Sequence, residues 1–294
     1  MKRIGLFLLT NIAVIVVASI TLSILGVGSF LDESGTGLNL TSLLIFCFVF
    51  GMAGAAISLL LSKKMAVWTT GTKIIDAPKT REELWLVDVT RELSQKAGIG
   101  MPDVGVFPTE QSNAFATGAN RNKALMAVSS GMLQRFDKNE LRAVIGHEIA
   151  HIANGDMITM TLIQGVVNTF VMFFARLAGF VVDRVILKNE RGLGIGYYIT
   201  TIVMEILLMI LASVIVMWFS RQREFKADAG AAQLTSKEDM IGALQSLKRE
   251  MGIPNQLPES LSAFGINAGQ RKGLKALFMT HPPLDERIAA LQKL

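Results

Sequence analysis

Long uncharged apolar runs alternate with mixed, punctuated stretches along this chain, and the alternation divides it. Residues 4 to 30, beginning Ile4-Gly5-Leu6-Phe7-Leu8-Leu9, hold no charge over a length sufficient for a bilayer-crossing helix. A second uncharged run covers Leu40 to Leu61, and the acidic link Leu31-Asp32-Glu33-Ser34-Gly35 joins the two into a predicted transmembrane hairpin over residues 1–62. The first run exceeds the apolar core of an ordinary signal peptide and lacks a clear small-x-small cleavage site at its end, which favours a retained span. A third run, Met157 to Leu187, and a fourth, Tyr197 to Phe219, predict a second hairpin over residues 157–219. These contain Arg176, Asp183, Arg184 and Glu205, and charges in lipid are costly unless they face protein or water. Partial immersion is therefore the alternative to full spans. If the third and fourth runs lie antiparallel, Arg176 and Glu205 fall at comparable depth and are expected to pair.

The two remaining stretches have soluble patterning. In residues 63–156, Thr80 and Glu83 form a capping box for a helix to about Lys96, with Leu84, Val87, Leu93 and Ala97 among its apolar positions and Gly98 as its stop. Short β-prone segments follow at 104–107, 113–117 and 125–129, the last two joined by Gly118-Ala119-Asn120-Arg121-Asn122. Asp137 and Glu140 then open a helix with Leu141, Val144, Ile145, Ile149 and Ile152 at helical spacing, stopped by Asn154-Gly155. In residues 220–294, the fourth run continues as a helix to about Leu234. A helix from Ser236 to about Met251, a glycine- and proline-rich loop over 252–273, and an amphipathic helix after Pro282-Pro283 complete the chain. The fold class is a membrane protein, mainly α with a small β-sheet.

Composition agrees. Of the 294 residues 51% are hydrophobic, and the mean hydropathy is +0.44, too apolar for a purely soluble protein. A net charge of +5 could suggest nucleic acid, but the bases cluster beside apolar runs, which membrane topology explains. Lys2 and Arg3 precede the first run and Lys63 and Lys64 follow the second, whereas the link between them is acidic, so both outer ends are expected in the cytoplasm. Arg221, Arg223 and Lys226 agree with this orientation, and the link Lys188-Asn189-Glu190-Arg191 opposes it slightly. The single cysteine, Cys47, allows no internal disulfide.

The chemistry centres on His147-Glu148-Ile149-Ala150-His151, which fits the HExxH pattern of zinc metalloproteases. At i and i+4 on a helix, His147 and His151 share a face and can offer both imidazoles to one metal ion. Glu148 lies about 100° around the helix, within reach of a water at that metal without being a ligand. A catalytic site needs a third ligand, and Asp156, Glu224, Asp228 and His281 are the candidates. Asp156 follows the helix stop and reads as the cap of the next helix. Glu224 and Asp228 are four apart, suiting one ligand and one carboxylate that orients a histidine, or else a solvated charged face. His281 would make a three-histidine site. The segment Asn113-Ala114-Phe115-Ala116 is either an ordinary hairpin strand or, as in zincins, a sheet edge that holds substrate in extended form.

Four segments together closely resemble the HtpX family of bacterial membrane metalloproteases, which is related to the CAAX prenyl proteases. They are HEIAHIANGD at 147–156, SRQREFKADAG at 220–230, NAFATG at 113–118 and THPPLDERI at 280–288. The resemblance extends over nearly the whole chain. It implies a zincin-like core on about four transmembrane helices, with one Zn(2+) per chain held by His147, His151 and Glu224. It further implies Glu148 as catalytic base, Asp228 as support, His281 and Arg287 across the cleft as oxyanion stabilisers, and Asn113, Ala114 and Phe115 along the substrate. Lys226 stands where some members carry histidine, and no ligand role is expected of it. The family's biology implies a multi-pass endopeptidase of the bacterial inner membrane with a cytoplasmic active site. It would degrade misfolded or damaged membrane proteins during envelope stress, alongside an ATP-dependent membrane protease. Two alternatives remain: a specific processing protease of CAAX type, for which the apolar spans are few, and a non-enzymatic scaffold with structural zinc, for which four ligands are usual.

Overall fold

The first described helix does not stop where its apolar run does. Helix α1 (Leu40–Thr70) continues past Lys63 and Lys64, because no residue there disfavours helix, and yields only at Gly71, whose φ of +66° is left-handed. The structure, a computed structural model, describes residues 39–250 and 279–294. The expected first span at 4–30 and the loop at 252–273 lie outside the described residues.

After α1 come strand β1 (Lys73–Ile74), helix α2 (Arg81–Lys96), strands β2 (Asp103–Phe107), β3 (Ala114–Thr117) and β4 (Leu125–Ser129), and helices α3 (Ser130–Arg135) and α4 (Lys138–Asn154). Helix α5 (Asp156–Val181) ends in a π-helical turn, Val182–Ile186, followed by α6 (Ile195–Leu234), α7 (Lys237–Arg249) and α8 (Leu284–Gln292). Among the described residues, three helices are long and apolar enough to cross a membrane: α1, α5 with its π turn, and α6. At 31 residues, α1 reaches about 46 Å, beyond the roughly 30 Å of a hydrocarbon core.

The chain packs as two units. One holds the described residues up to Ile57 together with Thr161–Val214. There α1 and α5 approach through small residues: a Cβ on Gly51 would stand 2.9 Å from the Thr169 nitrogen, and Gly165 faces Met52 and Ala55. Arg176 donates to Glu205 at 2.9 Å and lies over the Phe46 ring, so the pair expected from equal depth forms. The link after the π turn is closed by Asp183, which accepts from the Asn189 side chain and the Gly194 backbone, each at 2.9 Å.

The other unit holds Ser58–Met160 and Ile215–Leu294. Its sheet has the order β1-β2-β4-β3, with β2 parallel to β4 and the other pairs antiparallel. The capping boxes at Thr80 with Glu83 and at Asp137 with Glu140 both form. Ser129 ends β4 and caps α3, its hydroxyl accepting from Met132 and Asn113 backbone N–H groups. Ala114, Ala116, Met126 and Val128 on one sheet face join a core with Leu86, Leu93, Val144, Ile145, Ile149, Leu244 and Leu247. Helix α4 is consequently buried without a break from Ala143 to Ile152, so the three ionisable residues of that stretch, His147, Glu148 and His151, need partners inside the protein.

Candidate metal centre

Small side chains bring the two polar helices of this unit together. A Cβ on Gly230 of α6 would lie 2.7 Å from the Ala150 Cβ of α4, and Gly146 of α4 faces Ala231 and Thr235. With nothing larger between the backbones, Glu224 and Asp228 on α6 reach His147 and His151 on α4. Glu224 Oε2 is 3.5 Å from His147 Nε2 and Oε1 is 3.3 Å from His151 Nε2. One ligand atom from each of these three buried residues falls within 4.8 Å of the others.

The far nitrogen of each imidazole meets a carboxylate. His147 Nδ1 is 3.0 Å from Asp228 Oδ1, and His151 Nδ1 is 2.6 Å from Asp156 Oδ2. Asp156 therefore corrects the expectation of a simple helix cap: it is the first residue of α5, yet its side chain turns back to His151. The reason is Gly155, whose left-handed φ of +67° folds the chain onto the end of α4. The interval between His151 and Asp156, with glycine just before the acid, is the signal that sequence reading passed over. Arg287, fully buried, forks onto Asp228 with Nε to Oδ2 at 2.8 Å and Nη2 to Oδ1 at 2.6 Å. His281 is also buried, its Nδ1 2.7 Å from Glu224 Oε2.

Ala114 and Phe115 open strand β3 beside α4, and Asn113 stands just before it. The Asn113 carboxamide oxygen accepts from the Ala114 backbone, and Ala114 faces the main core. Phe115 points to the opposite sheet face, packed with Phe107, Leu125, Ala127 and Ala66.

These residues fit a metal ion. When each Nδ1 donates to its carboxylate, both Nε2 atoms, 3.0 Å apart, present lone pairs and cannot bond to each other. Neither Glu224 oxygen meets a donor in hydrogen-bond geometry among the described residues, although His281 Nδ1 and Arg287 Nη1 stand 2.7 and 3.6 Å from Oε2. Such a group of electron-pair donors calls for a positive charge, and in the metal-free protein a proton supplies it. Burial alone would lower His151, but the Glu224 charge and the Asp156 hydrogen bond outweigh it and raise the imidazole to about 9. Burial raises Glu148 above the ordinary carboxyl range despite the neighbouring histidines, and burial lowers His281 despite Glu224.

The profile of peptidase family M48 matches residues 80–294. Over 291 residues the chain is 63% identical to Protease HtpX of Hahella chejuensis, covering 99% of each chain. It is 62% identical over 294 residues to Protease HtpX of Alcanivorax borkumensis, covering 100% of this chain and 99% of the other. Among solved structures, the crystal structure of S. mikatae Ste24p superposes with a TM-score of 0.59 at 17% identity, covering 97% of this chain. This chain spans 66% of that one, and the likeness is one of fold. With more than two thirds of its length matched by the family and full-length likeness to HtpX proteases, the chain belongs to peptidase family M48 and is a membrane metalloprotease.

Proposed function

We propose that the protein is a zinc-dependent endopeptidase with one Zn(2+) per chain, held by His147, His151 and Glu224. The observation that carries this reading is the convergence of those three buried side chains beside Glu148, with carboxylates behind both histidines. Zinc suits a set of two imidazoles and one carboxylate, and when bound it supplies Lewis acidity to water and to the scissile carbonyl. Glu148 accepts a proton as the water oxygen bonds to the carbonyl carbon. It returns that proton to the amide nitrogen as the C–N bond breaks, leaving a carboxylate and an amine. A raised Glu148 pKa suits both halves of this task. Asp228, held by Arg287, keeps His147 in the tautomer that offers Nε2.

We propose for His281 a role other than the oxyanion role that its motif suggests. His281 Nδ1 stands 2.7 Å from Glu224 Oε2, so the tautomer with its proton on Nδ1 would steady Glu224, whereas the tautomer with its proton on Nε2 would be the one to serve an oxyanion. We assign His281 to holding Glu224, and Arg287 to holding Asp228. Ala114 and its chain neighbours Asn113 and Phe115 are proposed to align substrate through the backbone.

The substrates are proposed to be misfolded or damaged membrane proteins, cleaved in envelope quality control in functional company with an ATP-dependent membrane protease. The full-length resemblance to HtpX proteases supports this. The protein would sit in the bacterial inner membrane with both termini and the site on the cytoplasmic side, as the bases at Lys63, Lys64, Arg221 and Arg223 suggest. Trapping substrates in cells with Glu148→Gln and identifying them by mass spectrometry tests the assignment. Diverse membrane proteins are expected; one soluble partner in isolation would overturn it.

A further inference from the structure

We propose that Asp156 is a positioning residue that fixes His151 as a metal ligand. This rests on the reading of His151 as a ligand and extends it to a residue outside the HExxH helix. Two contacts hold His151 from the same short turn. Gly155 donates its backbone N–H to the His151 carbonyl, and Asp156 Oδ2 stands 2.6 Å from His151 Nδ1. The first fixes the backbone at the end of α4, and the second fixes ring orientation and keeps the proton on Nδ1, so that Nε2 faces Glu224 with its lone pair. Asp156 is 8% exposed, and its contacting oxygen lies on the far side of the ring from the ligand cluster, so it acts through His151 and not as a ligand.

The two histidines are supported unequally. Asp228, behind His147, is bound at both oxygens by Arg287, which shares its negative charge. The contact that Asp156 makes with His151 is the shorter of the two imidazole–carboxylate distances. Removing Asp156 leaves the ring of His151 free to turn over and the proton free to move to Nε2, which blocks the ligand atom.

The competing role is structural, since an acid at the first residue of α5 also favours that helix terminus. Substitution separates the two. Asp156→Ser keeps a residue favoured at helix starts but cannot reach the imidazole as a carboxylate does; Asp156→Asn keeps an acceptor and loses the charge. In the purified full chain, zinc affinity is expected to fall about 10- to 100-fold for Asp156→Ser and less for Asp156→Asn. The melting temperature of chelator-treated protein should fall for both, because protonated His151 loses its charged partner, and less for Asp156→Asn, which keeps an acceptor; both variants should still unfold cooperatively. Cobalt-substituted Asp156→Ser, at saturating metal, should keep the wild-type visible spectrum, because the ligand set is unchanged. Wild-type zinc affinity in Asp156→Ser would overturn the proposal, as would a changed cobalt spectrum, which would make Asp156 a ligand. His151→Ala serves as the control: if it binds zinc normally, the underlying reading of His151 fails, whereas normal binding by Asp156→Ser alone refutes only the positioning role.

Discussion

Glu224 and His281, fifty-seven positions apart in the chain (281 − 224), meet inside the protein with Oε2 2.7 Å from Nδ1. At this distance a histidine from the C-terminal segment can steady the carboxylate proposed as third ligand, which is the role proposed for it above. His281→Ala should therefore weaken zinc binding about 10- to 100-fold, the range for losing a group that orients a ligand. At saturating zinc its kcat should recover to near the wild-type value. Undiminished zinc binding with kcat lowered about 10²- to 10³-fold would instead make His281 the oxyanion donor that the sequence motif suggested.

Zinc affinity should rise with pH. The metal-free His151 imidazole, held at about 9, is protonated at neutral pH, and zinc must displace that proton. The pKa is raised above its ordinary value of 6.5, so protonation stabilises the metal-free fold fully below 6.5, and this stabilisation disappears as pH rises through about 9. Competition against a chromophoric chelator should show affinity increasing about tenfold per pH unit between 7 and 8. A flat profile would mean that no proton leaves this site on binding.

Gly230 permits the approach of α6 to α4. Gly230→Ala places a methyl 2.7 Å from Ala150 Cβ, too close for either backbone-borne carbon to swing away. Stability should fall by about 1–3 kcal/mol, the usual range for overpacking, and zinc content should fall with it. Gly146→Ala, whose nearest neighbour is 3.3 Å away at the Thr235 methyl, should be milder. Equal effects of the two in parallel thermal and metal analyses would refute this account of the helix contact.

Arg176 and Glu205 pair at 2.9 Å within the apolar helices, where each alone would be an unpaired charge. Arg176→Gln and Glu205→Gln should each destabilise the protein, and the double variant should be less affected than the sum by at least about 0.5 kcal/mol. Additive losses in a double-mutant cycle would show that the pair contributes no coupling.

Local signals were the readable ones. The capping boxes at Thr80 and Asp137 and the stop at Gly155 involve residues three or fewer positions from the helix ends they govern, and each forms. His147 and His151 share a helix, so their convergence follows from spacing alone. The arrival of Glu224, Asp228, His281 and Arg287 depends on long-range packing: residue type and spacing made the first three candidates, and motif resemblance chose among them and pointed to Arg287. Nothing local marks Gly230 as the neighbour of Ala150, or Arg287 as a fully buried cation. Strand β1, of two residues, is too short to show alternation, and α3 begins directly at a strand end, where Ser129 serves both elements. The continuation of α1 to Thr70 was hidden because a charged pair marks a change of environment without ending a helix.

The central claim is that Glu148 moves the proton while His147, His151 and Glu224 hold zinc. The most direct measurement is zinc content and peptide cleavage on the same preparations of wild-type and Glu148→Gln protein, before and after chelation. Wild type should hold about one zinc per chain, lose cleavage when stripped and regain it on zinc addition. Glu148→Gln should hold the same zinc and cleave at least about 10²-fold more slowly, the lower range for losing a general base. Full cleavage by stripped protein, or by zinc-loaded Glu148→Gln, would contradict the account.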